Sequence, residues 1–133
     1  MNRILVNRNK IITESINVFV DGNVINLLGS GIYSIEYEDI DNINLCITVS
    51  NGVKATLFES SFLDNIKVNN RYIINDGELR VNKFYNNNKV EEVINIDLCY
   101  EGSKIDYKFS NICRCHEEYL INVNHNAIGT VSN

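Results

Sequence analysis

The chain has 133 residues, a net charge of −5 and a hydrophobic fraction of 44%, values that suit one folded domain and exclude wholesale disorder. Residues that favour strands dominate, because the chain contains 19 Ile, 12 Val and 7 Tyr but only 2 Ala. β-Branched and aromatic side chains fit a pleated surface, whereas good helix formers are scarce. The composition excludes an ordinary helical bundle and predicts a single all-β domain over residues 1–133.

The charge balance limits the classes of partner. Lys and Arg total 12 and form no run, whereas nucleic-acid binding needs a concentrated basic surface. We therefore expect no nucleic-acid partner and no attraction to anionic membranes. No apolar stretch is long enough to span a membrane, and residues 1–14 lack the apolar core of a signal peptide. The four Cys are then expected to be free thiols of a cytoplasmic protein.

Short strands are predicted along the whole chain, and the strongest signal is alternation of apolar and polar residues. In chain order, the predicted strands are 3–6, 17–20, 24–28, 32–37, 43–49, 53–58, 72–75, 79–85, 94–100, 105–109 and 119–123. Alternation at period two is typical of a strand with one buried face. Two regions give weak strand signals, so we expect a bulge or loop in 59–69 and one short helical turn in 111–118.

Four glycine-containing turns separate these strands, at Asp21-Gly22, Asn51-Gly52, Asp76-Gly77 and Glu101-Gly102. Asn-Gly and Asp-Gly tolerate positive φ and locally favour two-residue hairpins. The strand spacing fits an antiparallel β-sandwich, an up-and-down sheet or the stacked rungs of a β-solenoid. No strict sequence repeat selects the solenoid among these folds.

Cys113, Cys115, His116 and His125 form the most conspicuous set of candidate ligands. Thiolate and imidazole groups bind zinc or iron, but the spacing lacks the Cys-x-x-Cys pairs that are usual in structural zinc sites. In an extended segment Cys113 and Cys115 would share a face, and His116 would point away. We interpret these cysteines as ordinary thiols near the start of a strand, and a metal site or a redox pair remains the alternative.

His125 continues the apolar face formed by Tyr119, Ile121 and Val123. This position predicts a neutral core histidine whose ring nitrogens meet backbone groups or a nearby hydroxyl. If the ring is buried, its removal is expected to cost about 1–3 kcal/mol.

The remaining candidates favour no chemistry. Cys46 and Cys99 lie opposite the apolar stripe of their strands and are interpreted as small hydrophobic residues without an activating cation. Paired acids can perform general acid–base catalysis, but those of this chain lie mostly at strand ends and turns, where solvated charge is expected. The acids concerned are Glu36, Glu38, Asp39, Asp41, Glu91, Glu92, Glu117 and Glu118. The sequence has no phosphate-binding glycine loop and no serine nucleophile elbow, so we predict no enzyme and no catalytic, cofactor or metal site.

The last predicted strand carries one distinctive motif, Tyr-Leu-Ile-Asn-Val-Asn-His-Asn-Ala-Ile-Gly-Thr-Val-Ser-Asn over residues 119–133. It resembles a segment of the SufB/SufD family of iron–sulfur cluster assembly proteins, an alternating strand with a central His followed by a Thr and a Ser two residues apart. The matching positions are His125, Thr130 and Ser132. Residues 105–111 resemble the preceding rung of that family, and elsewhere the resemblance is compositional.

The resemblance implies a right-handed parallel β-helix, in a family whose members pair as SufB–SufD or as like pairs and hold the ATPase SufC. It implies that the chain is the N-terminal part of a longer SufB/SufD-like scaffold, with a SufC-like ATPase, a SufB/SufD-like partner and self-association. The family's cluster-assembly residues match no position here, so no cofactor is expected in this chain. The alternatives are a stand-alone β-sandwich or cupin-like ligand-binding module, and a metal-binding or redox protein that uses the Cys and His residues named above.

The physical properties of the motif agree with a position in such a rung. Thr130 and Ser132 share one face of a strand, so their hydroxyls can bond between rungs or cap a turn. Gly129, which precedes them, permits a tight bend.

Overall fold

The computed structural model describes the backbone of residues 1–8, 10–63, 65–126 and 129–133, and the side chains of these residues except those of 87–88 and 110–117. The strands of this described part are β1 (Asn2–Asn7), β2 (Lys10–Thr13), β3 (Val18–Asp21), β4 (Val24–Leu27), β5 (Gly31–Glu38), β6 (Asn42–Ile43), β7 (Cys46–Val49), β8 (Lys54–Ser61), β9 (Asn65–Ile74), β10 (Glu78–Leu98), β11 (Lys104–His125) and β12 (Val131–Ser132). The described residues contain no helix, so the short helical turn predicted in 111–118 is wrong, and that region is part of β11.

The chain winds as a parallel β-solenoid of about four turns, each of which crosses two faces. Face A stacks β1, β5, β8 and the first halves of β10 and β11, and β12 follows on β11. Face B stacks β4, β6 and β7, β9 and the second halves of β10 and β11. β10 and β11 each run through both faces without interruption. The expected β-helix is confirmed, and the antiparallel β-sandwich is wrong for these turns because their ladders are parallel.

The register aligns equivalent residues of successive turns in columns. Tyr33, Leu57, Val81 and Tyr107 form one column on face A. The first three of these side chains are fully buried, because the apolar residue of each period-two pair points between the faces. The core is therefore a narrow interior between faces A and B, which extends along the axis of the solenoid.

The two ends of the solenoid differ. At the N-terminal end β2 pairs antiparallel with β1, and β3 pairs antiparallel with β4, so these two strands are the ends of the main strand path. At the C-terminal end the second half of β11 pairs with β10 alone among the described strands. Short antiparallel strands end the stack at its N-terminal end. At the C-terminal end, which we term the open end, the second half of β11 presents a strand edge that no other described strand pairs with.

The glycine turns serve two different purposes. Asp21-Gly22 forms the hairpin between β3 and β4, as predicted. Asn51-Gly52, Asp76-Gly77 and Glu101-Gly102 instead connect one turn of the solenoid to the next, so the hairpins predicted there are wrong. A positive φ occurs at Gly52 and Gly102 in these connections. A residue with positive φ sharply redirects the chain in either case, so the local sequence does not distinguish a hairpin from a turn between parallel rungs.

Gly77 lies where a side chain has no room. A Cβ atom at this position would lie 2.7 Å from the carbonyl oxygen of Val53 and 2.9 Å from Cγ1 of Val49. Gly77→Ala is therefore expected to lower the free energy of unfolding by about 1–3 kcal/mol, the usual cost of overpacking. Urea unfolding measures the loss, with Asn51→Ala at the exposed neighbouring turn as the control. A Gly77→Ala variant as stable as that control would contradict this packing of the turn.

The first half of β9 is absent from the sequence prediction, which begins the strand at residue 72. Alternation between buried and exposed side chains nevertheless continues from Asn65 to Ile74. The polar residue Asn70 is fully buried within this stretch, and on face A the inward position of Glu59 is equally polar. The apolar periodicity is interrupted at these positions because the interior of the solenoid holds polar groups there.

Candidate functional site

His125, Thr130 and Ser132 come together at the open end of the solenoid. The Nδ1 atom of His125 lies 2.6 Å from Oγ1 of Thr130, and its Nε2 atom lies 3.1 Å from Oγ of Ser132. The predicted hydroxyl partners are confirmed. The prediction of a core histidine is wrong, because the ring is exposed. His125 is aligned with the buried Leu98 of the preceding turn. No described strand covers His125 in turn, so its ring remains exposed.

The geometry of His125, Thr130 and Ser132 supports a structural contact between two chain segments better than it supports catalysis. A neutral imidazole has one donor and one acceptor nitrogen, so one hydroxyl accepts from the ring and the other donates to it. A Ser–His pair resembles a nucleophile with its base, but the third group here is the Thr130 hydroxyl, which cannot stabilise an imidazolium as a carboxylate does. The contacts tie residues 129–133 back to the end of β11.

His125→Ala is expected to cost less than about 1 kcal/mol of the free energy of unfolding, because exposed hydrogen bonds compete with water. The measurement is urea unfolding of the variant beside Asn126→Ala, a neighbouring exposed position. A loss above about 2 kcal/mol would mean that the ring belongs to the folded core after all.

The open end exposes side chains that the fold otherwise buries. Tyr119, Ile121 and Val123 are 42%, 46% and 37% exposed, although the β10 residues aligned with them are buried. They continue the inward columns of face B by one turn. An apolar surface that also presents a strand edge is a surface for adding another strand.

The structure describes only part of the candidate ligand set of Cys113, Cys115, His116 and His125. The side chains of Cys113, Cys115 and His116 lie outside the described residues, so their predicted shared face and their alternative roles in a metal site or redox pair stay predictions. The backbone register shifts here, because Cys113 is aligned with Asn87 and His116 with Lys89. This bulge interrupts the strict alternation on which the shared face depended. Among the residues that the structure describes, no three His, Cys, Asp or Glu side chains are grouped for metal binding.

Cys46 and Cys99 are half-buried free thiols. Burial raises the pKa of the Cys46 thiol, and the Arg71 cation opposes that shift. A raised pKa leaves less thiolate, so Cys46 has the properties expected of a small hydrophobic residue.

The predicted solvated acids are confirmed in most described cases. Glu36, Glu38, Asp39 and Asp41 are exposed. Glu91 lies on the surface with its carboxylate 3.4 Å from the Lys89 ammonium and 3.6 Å from that of Lys67, and hydrogen bonding to Lys89 contributes to lowering its pKa.

Glu92 differs, because it is 3% exposed and lies inside the solenoid. Its prediction as a solvated acid is wrong, since residue 92 occupies an inward position of face B. The side chain of Glu117 lies outside the described residues.

A cluster of charged and polar side chains occupies the interior between the two faces, and we term it the interior ionic cluster. Its members are Glu59, Asn70, Lys83 and Glu92 with the tyrosines Tyr37, Tyr72, Tyr85 and Tyr107. Four successive turns contribute, since these residues come from β5, β8, β9, β10 and β11. Sequence reasoning missed the cluster.

Lys83 is the cation at the centre of this cluster. Its ammonium group donates to Oε1 of Glu92 and lies 3.7 Å from Oε2 of Glu59. Both carboxylates and the ammonium are almost completely buried. The ammonium also lies 5.0 Å from the ring centroid of Tyr107 and 5.4 Å from that of Tyr72, within the range of cation–π attraction.

Tyrosine hydroxyls satisfy the carboxylates. Glu59 accepts hydrogen bonds from Tyr37 and Tyr72, one on each oxygen. Tyr107 donates to Oε1 of Glu92 over 3.2 Å. The amide of Asn70 donates to the Tyr37 hydroxyl over 3.2 Å. Hydrogen bonds of this kind make a buried charge tolerable.

Burial raises the pKa of Tyr37, Tyr72, Tyr85 and Tyr107, and the nearby carboxylates raise it further. These hydroxyls therefore keep their protons and remain donors at neutral pH. The buried carboxylates therefore always face protonated hydrogen-bond donors, and these donors stabilise the negative charge inside the cluster.

Two surface grooves in the described part of the chain lie away from the interior ionic cluster. One groove of about 360 Å³ lies at the bend between the faces and is lined by Asp41, Lys67, Lys89 and their neighbours. A second of about 580 Å³ lies near the N-terminus. Neither is lined by a cluster residue, so the cluster has the properties of a structural element that holds adjacent turns in register.

Three charged residues of the interior ionic cluster carry a sequence pattern that indicates their burial. Glu59, Lys83 and Glu92 each interrupt an inward apolar series at a period-two position. A charge within such a series predicts a partner charge in the same interior, because an unpaired buried charge is expensive.

Comparison with protein-family models, with curated proteins and with solved structures finds no match for this chain. No helix in the described part is long and apolar enough to cross a membrane.

Proposed function

We propose that the chain is a structural portion of a scaffold for iron–sulfur cluster assembly, similar to the SufB/SufD family. The observation that carries the proposal is the combination of a parallel β-solenoid with the motif of His125, Thr130 and Ser132 at its last turn. The resemblance associates this motif with a rung of a β-helix. The chain itself performs no catalysis in this proposal and ligates no cluster.

The proposed partners are a SufC-like ATPase, a SufB/SufD-like protein and a second copy of the chain, in the cytoplasm. The open end supports the last two, because Tyr119, Ile121 and Val123 offer an apolar surface beside a strand edge. Another solenoid end can extend both faces by edge pairing. The ligand-binding alternative needs a concave apolar pocket, and no observation favours it, since core side chains and the interior ionic cluster fill the described turns.

Affinity purification from the source cell tests the scaffold proposal. The protein is tagged at its chromosomal locus, isolated under anaerobic conditions and analysed by quantitative mass spectrometry. We expect an ATP-binding-cassette ATPase and a second β-helix protein in amounts comparable to the bait, and loss of the β-helix protein in Ile121→Lys. Recovery of the tagged protein without either partner would contradict the proposal, and Ile12→Lys at the opposite end is the matched control.

A further inference from the structure

Two buried polar atoms of the interior ionic cluster have no hydrogen-bond partner among the residues that the structure describes. They are the hydroxyl oxygen of Tyr85 and Oε2 of Glu92. Tyr85 is fully buried and Glu92 is 3% exposed. Buried polar atoms of native proteins are almost always paired, and an orphaned one commonly marks a bound water.

Both residues lie beside the Lys83 ammonium group. Lys83 donates to the other oxygen of the Glu92 carboxylate and lies 5.9 Å from the ring centroid of Tyr85. The Tyr85 ring packs edge-on against Phe109 at 5.3 Å and Tyr37 at 6.5 Å. The two unpartnered atoms therefore belong to residues that surround the same ammonium group.

The chemistry of the two atoms is complementary to a water molecule. A tyrosine hydroxyl can donate, whereas a carboxylate oxygen can only accept. We propose that one structural water is bound between Tyr85 and Glu92, where it accepts from Tyr85 and donates to Oε2 of Glu92. This inference does not depend on the proposed function.

Coordination favours water over a metal cation at this position. The other carboxylate oxygens of the cluster already accept from Lys83 or from a tyrosine hydroxyl. A cation would therefore find two free oxygen ligands, whereas hard cations usually take about six or more. Water is satisfied by about two to four polar partners.

A high-resolution crystal structure of the chain tests the proposal directly. We expect one density peak within hydrogen-bond distance of the Tyr85 hydroxyl and Oε2 of Glu92. Absence of the peak would overturn the proposal, and so would a peak with the short distances and added ligands of a metal ion. This outcome is read from the unmodified protein, so it does not depend on the folding of a variant.

Tyr85→Phe gives a second, independent readout. If the water is present, deleting the hydroxyl removes one of its anchors and lowers Tm, whereas Tyr100→Phe at an exposed position leaves Tm unchanged. If the hydroxyl is truly unpartnered, Tyr85→Phe removes a buried unsatisfied group and leaves Tm the same or higher. The second result would overturn the proposal.

Discussion

Replacing Lys83 with methionine is expected to destabilise the protein by about 3–5 kcal/mol. The substitution keeps much of the side-chain volume but removes the only cation that contacts the buried carboxylates of Glu59 and Glu92 in the described interior. Two uncompensated carboxylates then remain buried in the interior, which is costly in free energy. Since domains of this size have free energies of unfolding of about 5–15 kcal/mol, the loss is a large fraction of the total.

Lys104→Met is the matched control for this experiment. The Lys104 ammonium lies 3.6 Å from the Glu78 carboxylate, but both side chains are about half exposed, at 53% and 41%. A surface pair of this kind contributes about 0–1 kcal/mol. Urea unfolding of both variants should therefore separate them clearly. Equal stability of the two variants would contradict the buried placement of Lys83.

Alkaline pH is expected to destabilise the protein steeply. In the unfolded chain a tyrosine ionises near pH 10, whereas burial raises the pKa of Tyr37, Tyr72, Tyr85 and Tyr107 in the folded state. Above pH 10 the unfolded state therefore binds fewer protons than the native state, so the free energy of unfolding falls as pH rises. Each tyrosine contributes up to about 1.4 kcal/mol per pH unit to this slope once it is fully ionised in the unfolded chain, and almost nothing well below pH 10.

Tyr72→Phe isolates one of these contributions. Its stability at neutral pH falls through the lost hydrogen bond to Glu59, but the informative quantity is the slope of the free energy of unfolding between pH 10 and pH 11. We expect that slope to be shallower by about 1 kcal/mol per pH unit than in the unmodified protein, because the tyrosine is only partly ionised in the unfolded chain over this range. Tyr100→Phe, at an exposed position, should leave the slope unchanged. An unchanged slope in Tyr72→Phe would contradict its burial beside a carboxylate.

Much of the fold follows from local sequence patterns, because period-two alternation depends only on which face of a strand is buried. The strands over 32–37 and 105–109 lie within β5 and the first half of β11. The direction of pairing is not local, so the sequence of Asn51-Gly52 favours a hairpin although this turn joins β7 on face B to β8 on face A. The sequence also does not predict that β10 continues through both faces, because the middle of this strand is a polar run from residue 86 to residue 89.

The candidate site was less accessible to sequence reasoning than the fold. The sequence predicts backbone groups or a nearby hydroxyl as partners of His125, whereas it predicts that the hydroxyls of Thr130 and Ser132 bond between rungs or cap a turn. That these two hydroxyls are the partners of the ring is visible only in the structure. The exposure of His125 depends on the absence of a covering strand, which no local pattern reveals. The pairing of Glu59 with Lys83 joins residues of different turns, so it becomes visible only when the rungs are stacked.

The most direct test of the scaffold account is the molar mass of the isolated chain in solution, measured by light scattering over a wide range of concentration. The account predicts self-association through the second half of β11, with a mass that rises above 15.2 kDa as concentration increases and returns to the monomer value in Ile121→Lys. Ile12→Lys, in β2 at the N-terminal end of the solenoid, should associate like the unmodified protein. A monomer of 15.2 kDa at the highest concentration would contradict the account, because the exposed end would then need no partner.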